Sequence, residues 1–555
     1  MKNISSVLIF LLLATASFAQ DINSLMAGMS RREKIAQLII VAVGSYEDSL
    51  VKADQMRLVE EGLGGVIIMD DKLADNVQMI NDLQSHARIP MICSIDGEWG
   101  AGMRYDEYVS FPRAMQIGAL EDYQWAYDVG ECIGEELREL KIFMNYAPVV
   151  DVNNNPANPV INTRSFGEDR QKVAMFGVNF IKGMQDAGVA GSAKHFPGHG
   201  DTDVDSHKGL PVLNFDRARL DSLELYPFRS MIDAGVEMVM IGHLSVPALD
   251  PTGTPASISR PIVTDLLRNE LGFKGIIITD ALQMKGVAAD GVDASVAAYK
   301  AGADILLMPL DARQTIANLD AEFESGSLDE AGLDMRVRKV LDLKSRCGML
   351  DARYTPFIDT AQVRKLADRP MSEFIIQSIC DRSITYVKGS RLTPFRFRNN
   401  VAYVAFNATS DDSQAFHKEL LRYGAVPRFD LPADATPAQI DSVGKLLKKY
   451  KKVIVGIHSG RPVPSSGGAK RFAKITSQQL ERIGRWAEKH RLYGCYMGNP
   501  YDLDKLPEHK MFDAFCICYS DNLFNNKSAA RSIAVGGAAG VLPVAAGGYP
   551  CGYRD

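Results

Sequence analysis

Short apolar runs recur through the first part of the chain, at 37–43, 64–69, 90–95, 143–152, 188–195, 238–243, 275–279 and 303–309. Stretches of helical periodicity, such as 122–140 and 171–187, separate most of them. Strand-length runs that alternate with amphipathic helices predict βα units and a parallel sheet. Eight such units over about 320 residues predict a TIM-type (β/α)8 barrel, with a doubly wound open sheet as the other arrangement. The strand ends favour the barrel. Asp96, Asp151, the pair Lys194 and His195, His243 and Asp280 each follow or close an apolar run. One acid at a strand end is an ordinary helix cap or turn former. Five strands that end in polar groups match the rim where barrel enzymes assemble their sites.

The pattern changes after residue 350. Residues 351–370 lack a long period and read as a linker. Apolar runs then return at 400–406, 452–458, 492–497 and 512–519, with helical stretches at 412–423 and 477–490. This predicts a smaller α/β sandwich domain over 371–555, behind a barrel over 20–350. The glycines at 536–540 are not followed by the Lys-Ser or Lys-Thr of a phosphate loop, so they read as a turn or packing element.

With 555 residues, 46% of them apolar, the chain has material for two domains. A net charge of -6 and the lack of a long basic run argue against nucleic acid and leave small-molecule or glycan chemistry. At the N-terminus Lys2, the apolar run 7–13 and the small residues of 14–19 predict a cleaved export signal over 1–19, hence a periplasmic or secreted protein. No Cys follows to carry a lipid, and no later run approaches the roughly twenty apolar residues of a spanning helix, so no stable membrane insertion is expected. Cys93, Cys516 and Cys518 sit in apolar strand-like runs and read as buried free thiols. No Cys or His spacing suits zinc.

Chemistry concentrates at Lys194-His195-Phe196-Pro197-Gly198-His199-Gly200-Asp201, followed by Asp205-Ser206-His207. Three of the chain's nine histidines fall there with a lysine and the acids Asp201, Asp203 and Asp205, among glycines and a proline. This is loop chemistry, and it reads as an active site. An Asp-x-His spacing alone is more often a surface turn. His199 is read as structural.

Together with Thr279-Asp280-Ala281-Leu282-Gln283-Met284, these motifs resemble glycoside hydrolase family 3, and within it the β-N-acetylglucosaminidases. Phe111-Pro112-Arg113, Asn162-Thr163-Arg164-Ser165-Phe166-Gly167 and Gly242-His243 extend the likeness across the barrel, and Gly498-Asn499-Pro500-Tyr501 with Leu542-Pro543 extends it more thinly into the second domain. The resemblance implies a retaining mechanism, which needs a carboxylate nucleophile and a second group that first donates and then accepts a proton. It gives the first role to Asp280 and the second to His207, with Asp205 as its partner. It gives Asp96 and Arg104 to the hydroxyls of the non-reducing sugar, and Arg164, Lys194 and His195 to further contacts in that subsite. The implied reaction removes single terminal GlcNAc residues from peptidoglycan fragments or chitooligosaccharides without metal or organic cofactor; protein partners stay open.

Other readings are a GlcNAc phosphorylase, a β-glucosidase or β-xylosidase of the same family, and a non-catalytic glycan-binding protein. The Asp-Ser-His loop argues against the glucosidases, and the joint presence of Asp280, Asp205 and His207 argues against a mere binding module. Gly97 and Trp99 depart from the subgroup's usual Asp-Gln-Glu-Gly-Gly pattern. Trp99 is a candidate aromatic platform for a sugar face.

Overall fold

The computed structural model describes residues 21–555, apart from 70, 205–208, 288–292, 360–364, 366, 398–399 and 460–474. The leader expected over 1–19 lies outside the described residues, as do Asp205 and His207.

The apolar runs of the first half form eight short strands: β1 Ile39–Ala42, β2 Gly65–Ile68, β3 Ile92–Ile95, β4 Ile142–Asn145, β5 Ala190–Phe196, β6 Met238–Ile241, β7 Ile276–Thr279 and β8 Leu306–Leu307. Neighbours pair in parallel in chain order from β1 to β7, and β8 lies beside β1. A bridge between Ile278 and Ile305, with Thr279 N–H donating to Ile305 O at 3.2 Å, brings β7 to β8 and closes the ring. The strands are buried on both sides, so their sequences read as continuous apolar runs rather than alternations.

Helices of the outer layer explain the intervening periodicity. Helix Arg170–Asp186 starts where the Asp169 carboxylate accepts the N–H groups of Gln171 and Lys172, and buries Val173, Phe176, Phe180 and Ile181 against the barrel. It lies close against helix Gln124–Glu139 because glycines remove the side chains between them. A Cβ on Gly130 would fall 2.1 Å from Phe180 O, and one on Gly183 equally close to Tyr127 O.

The second sheet has six strands in the order β11-β10-β12-β13-β14-β9: β9 Thr385–Lys388, β10 Val401–Phe406, β11 Arg428–Leu431, β12 Lys452–His458, β13 Arg491–Met497 and β14 Ala514–Ile517. All pairs are parallel except β14 with β9. Alternate residues of β10 and β12 feed two cores, Val404, Phe406, Val453 and Val455 on one face and Tyr403, Ala405 and Ile454 on the other. Helices cover both faces, which makes the α/β sandwich expected from the sequence.

Helix Pro370–Ser383 ties the two parts. Its Ile375, Ile376, Ile379 and Cys380 join the barrel's core, and Ser383 accepts a hydrogen bond from Gln116 Nε2 at 2.9 Å. All eight cysteines are free thiols. No helix among the described residues is long and apolar enough to cross a membrane.

Candidate active site

The rim at the C-terminal strand ends carries a chain of alternating charges. Asp96 directly follows β3, while Lys194 and His195 lie within β5. Lys194 Nζ sits 2.7 Å from Asp96 Oδ1 and 2.9 Å from Glu98 Oε1, and its side chain is only 2% exposed. Glu98 accepts Arg164 Nη2 at 2.7 Å and Arg164 Nε at 3.0 Å, while Arg104 Nη2 stands 3.3 Å from Asp96 Oδ2. The order is therefore Arg104, Asp96, Lys194, Glu98, Arg164. Three cations alternate with two carboxylates, so each acid of the chain has a cationic partner.

The electrostatics follow from that order. Burial opposes the Glu98 charge, but Arg164 and Lys194 overcome it and hold the carboxyl well below the usual range. Burial likewise opposes the Lys194 charge, and Asp96 with Glu98 raise its ammonium above its ordinary value. Both groups stay ionised throughout the neutral range.

Asp151, buried beyond β4, organises the histidines. Its Oδ2 lies 2.8 Å from His195 Nδ1, and its Oδ1 accepts the His199 N–H at 2.7 Å. The other ring nitrogen of His195, Nε2, faces Arg164 Nη2 at 3.4 Å. His199 is held differently. Its Nδ1 lies 2.7 Å from Thr202 Oγ1, and its Nε2 is buried without a partner among the described residues. Burial, and then the charge of His195, push its pKa down to about 4, so it is a neutral structural ring at working pH.

Asp280 follows β7, and its Oδ1 accepts the Ala281 N–H at 2.8 Å. Burial would raise its pKa, but the charges of His243, His195 and Lys194 and the Ala281 N–H together lower it. His243, beyond β6, donates from Nε2 to the Ala281 carbonyl at 3.0 Å and pairs through Nδ1 with Ser257 Oγ at 2.7 Å. It thus braces the turn that carries Asp280.

Six sequence candidates, Asp96, Arg104, Arg164, Lys194, His195 and Asp280, therefore share one rim. Asp201, which precedes the undescribed residues 205–208 in the chain, is tied to the barrel: its Oδ2 accepts Asn154 Nδ2 at 3.1 Å and Arg219 Nη2 at 3.0 Å. Trp99 differs from its expectation as a sugar platform. It is 9% exposed, and the Arg113 guanidinium covers its ring at 4.2 Å from the centroid. Burial lowers Arg113 to about 10, which still leaves it charged. Glu98 and Asp151 are the site residues to which the sequence assigned no role; their partners stand 44 to 96 positions away, at Arg164, Lys194 and His195. Among the described residues no group of three or more His, Cys, Asp or Glu side chains is arranged to hold a metal ion.

Comparison with known proteins places this rim in a family. Residues 30–343 match the glycosyl hydrolase family 3 N-terminal domain. A β-hexosaminidase A of Pseudoalteromonas piscicida is 35% identical over 377 residues, 62% of this chain and 62% of that protein, so the match spans under two thirds of that relative. A β-hexosaminidase of Idiomarina loihiensis is 30% identical over 59% of this chain and 99% of its own length. The solved structure of a family 3 β-N-acetylglucosaminidase from Paenibacillus sp. str. FPU-7 superposes with a TM-score of 0.73 at 29% identity, over 93% of this chain and 99% of that one. The chain therefore belongs to glycosyl hydrolase family 3 and is a glycoside hydrolase.

Proposed function

We propose that this enzyme is an exo-acting, retaining β-N-acetylglucosaminidase that removes terminal GlcNAc from peptidoglycan fragments or chitooligosaccharides outside the cytoplasm. The observation that carries the reading is the place of Asp280: it directly follows β7 on the rim that holds Lys194 and His195, and its Oδ1 accepts the Ala281 N–H at 2.8 Å. Burial opposes its charge, and His243, His195, that N–H and Lys194 lower its pKa all the same. An ionised carboxylate fixed at a strand end can attack an anomeric carbon, and the alternating donors and acceptors around it suit the hydroxyls of a bound sugar.

In this reading Arg104 with Asp96, and Arg164 with Lys194 and His195, hold the ring while Asp280 forms the glycosyl-enzyme bond. His207, oriented by Asp205, gives its proton to the departing oxygen and then takes one from the incoming water. An imidazole that has given up its proton adds no second negative charge at the anomeric centre, unlike a carboxylic acid after the same step. The names of the β-hexosaminidase relatives agree with this substrate class.

A panel of p-nitrophenyl β-glycosides of GlcNAc, glucose and xylose, run with and without phosphate, tests the proposal. GlcNAc should be preferred, and Asp280→Ala should lower its hydrolysis by about a thousandfold or more. Equal turnover in the variant removes Asp280 from the role. Equal rates on the glucoside make the enzyme a β-glucosidase, and accumulation of GlcNAc-1-phosphate makes it a phosphorylase. The N-terminal sequence of the exported enzyme, expected to start after residue 19, tests its location.

A further inference from the structure

The motif Gly498-Asn499-Pro500-Tyr501 lies in the second domain, away from the charged rim, yet it reaches the segment that carries two of the rim's supports. That segment runs from Asp151, which holds His195, to Gly167, and includes Arg164, which holds Glu98. It folds back on itself. Ser165 Oγ donates to Asp151 O at 2.6 Å, and Asn153 N–H donates to Gly167 O at 2.9 Å. Its middle is tied to the barrel by Asn158, whose Nδ2 donates to His199 O at 2.8 Å.

Its ends are tied to the second domain. Tyr501 hydroxyl donates to Asn153 O and accepts Asn153 Nδ2, both at 2.9 Å. Tyr501 is 7% exposed and Asn153 is fully buried, so neither has water to replace the other. Asn499 Oδ1 accepts the Tyr501 N–H at 3.1 Å, while its Nδ2 donates to Asn162 Oδ1 at 2.5 Å. Asn162 opens the turn that leads into Arg164, with a φ of 41° in the left-handed region that asparagine enters more readily than most side chains. Pro543 O accepts the Glu168 N–H at 3.1 Å, and Gly167 packs so closely there that a Cβ would fall 2.3 Å from the same oxygen.

We propose that Asn499 and Tyr501 are positioning residues of the glycosidase. From the second domain they fix the 151–167 segment, and through it the orientation of Arg164 and of the Asp151–His195 pair in the sugar subsite. The inference rests on the reading that Arg164 and His195 hold the terminal sugar. Its physical basis is that a buried amide deprived of its partner carries its full desolvation cost, and a segment freed at both ends presents its guanidinium in many orientations instead of one.

Steady-state kinetics of the full chain on p-nitrophenyl β-GlcNAc, with thermal melting, test it in three variants. Tyr501→Phe and Asn499→Ala should each raise KM about tenfold and leave kcat within about threefold. Tyr496→Phe is the control: its hydroxyl donates to Asp502 Oδ2 at 2.6 Å in the same turn without reaching the barrel. It should share any loss of melting temperature and leave KM unchanged. The proposal is overturned if the first two variants keep the parental KM, or if Tyr496→Phe raises KM as much. An inactive parent breaks the substrate reading instead. The clamp is then read by hydrogen exchange over 153–167, which should speed up in Tyr501→Phe and not in Tyr496→Phe; equal exchange in the two overturns it.

Discussion

Each of the two domains contains a buried carboxylate paired with a histidine at the end of a parallel strand, and only one of them belongs to a site. In the barrel, His195 Nδ1 lies 2.8 Å from Asp151; in the second domain, His458 Nδ1 lies 3.0 Å from Asp521. The difference is in the other nitrogen. His195 Nε2 faces Arg164 at 3.4 Å, beside Lys194 and Asp280. His458 Nε2 meets the Tyr403 hydroxyl at 2.9 Å, while Asn407 holds the His458 carbonyl at 2.7 Å and Asn526 holds Asp521 at 2.9 Å. Every polar direction around His458 ends within the protein core. A carboxylate–imidazole pair is thus a mount for a ring, and what the ring does depends on whether its second nitrogen meets the charges of a site.

The largest expected effect removes the charges that distinguish the barrel's pair. Lys194→Met leaves Glu98 and Asp96 short of a cation at a buried position. It should lower kcat/KM by about a thousandfold and stability by about 3–5 kcal/mol, as kinetics and chemical unfolding will show. Next comes the direct contrast. His195→Gln should lower kcat/KM by about a hundredfold and, because it strips buried Asp151 of its imidazole, lose about 2 kcal/mol of stability, whereas His458→Gln should lose a similar amount of stability and keep activity within about twofold. Comparable loss of activity in both would break the distinction.

The last effect leaves activity aside and concerns the pH dependence of stability. His199 is held neutral, with its pKa pushed down to about 4 by burial, so its unfolded form takes up a proton first as the pH falls. Its contribution is complete above about 6.5 and is lost as pH drops toward 4, up to about 3 kcal/mol. Glu98, Asp151 and Asp280 have lowered values, so their contributions persist above the ordinary carboxylate range and fade only below it. Glu136 runs the other way over the His199 window, because burial pushes its carboxyl up to about 7. The difference between the parent and His199→Gln isolates the histidine: stability should fall less steeply in the variant between pH 6.5 and 4. Parallel curves would show that His199 is not the proton acceptor.

The barrel was legible because its strands are buried on both faces, so they appear as short unbroken apolar runs between amphipathic helices. In the second domain β9 and β11 escaped notice. β11, Arg428–Leu431, alternates charged and apolar residues at the sheet's edge, and β9 is four residues long and antiparallel. The charged candidates were legible because they fall at strand ends. Glu98 and Asp151 gained no role because their importance lies in contacts with Arg164, Lys194 and His195 on other strands and loops, which spacing along one segment does not reveal. Trp99 misled for the same reason: nothing near it in sequence shows that Arg113 covers its ring.

The closure of the barrel by β8 has a consequence for how the chain folds. β8 comprises only Leu306 and Leu307, and it joins β1 on one side and the end of β7 on the other. Until those residues dock, the folding barrel is an open sheet with two unpaired edges, at β1 and β7. Apolar edges of this kind recruit other strands, so any state in which β8 has not yet docked exposes the chain to aggregation.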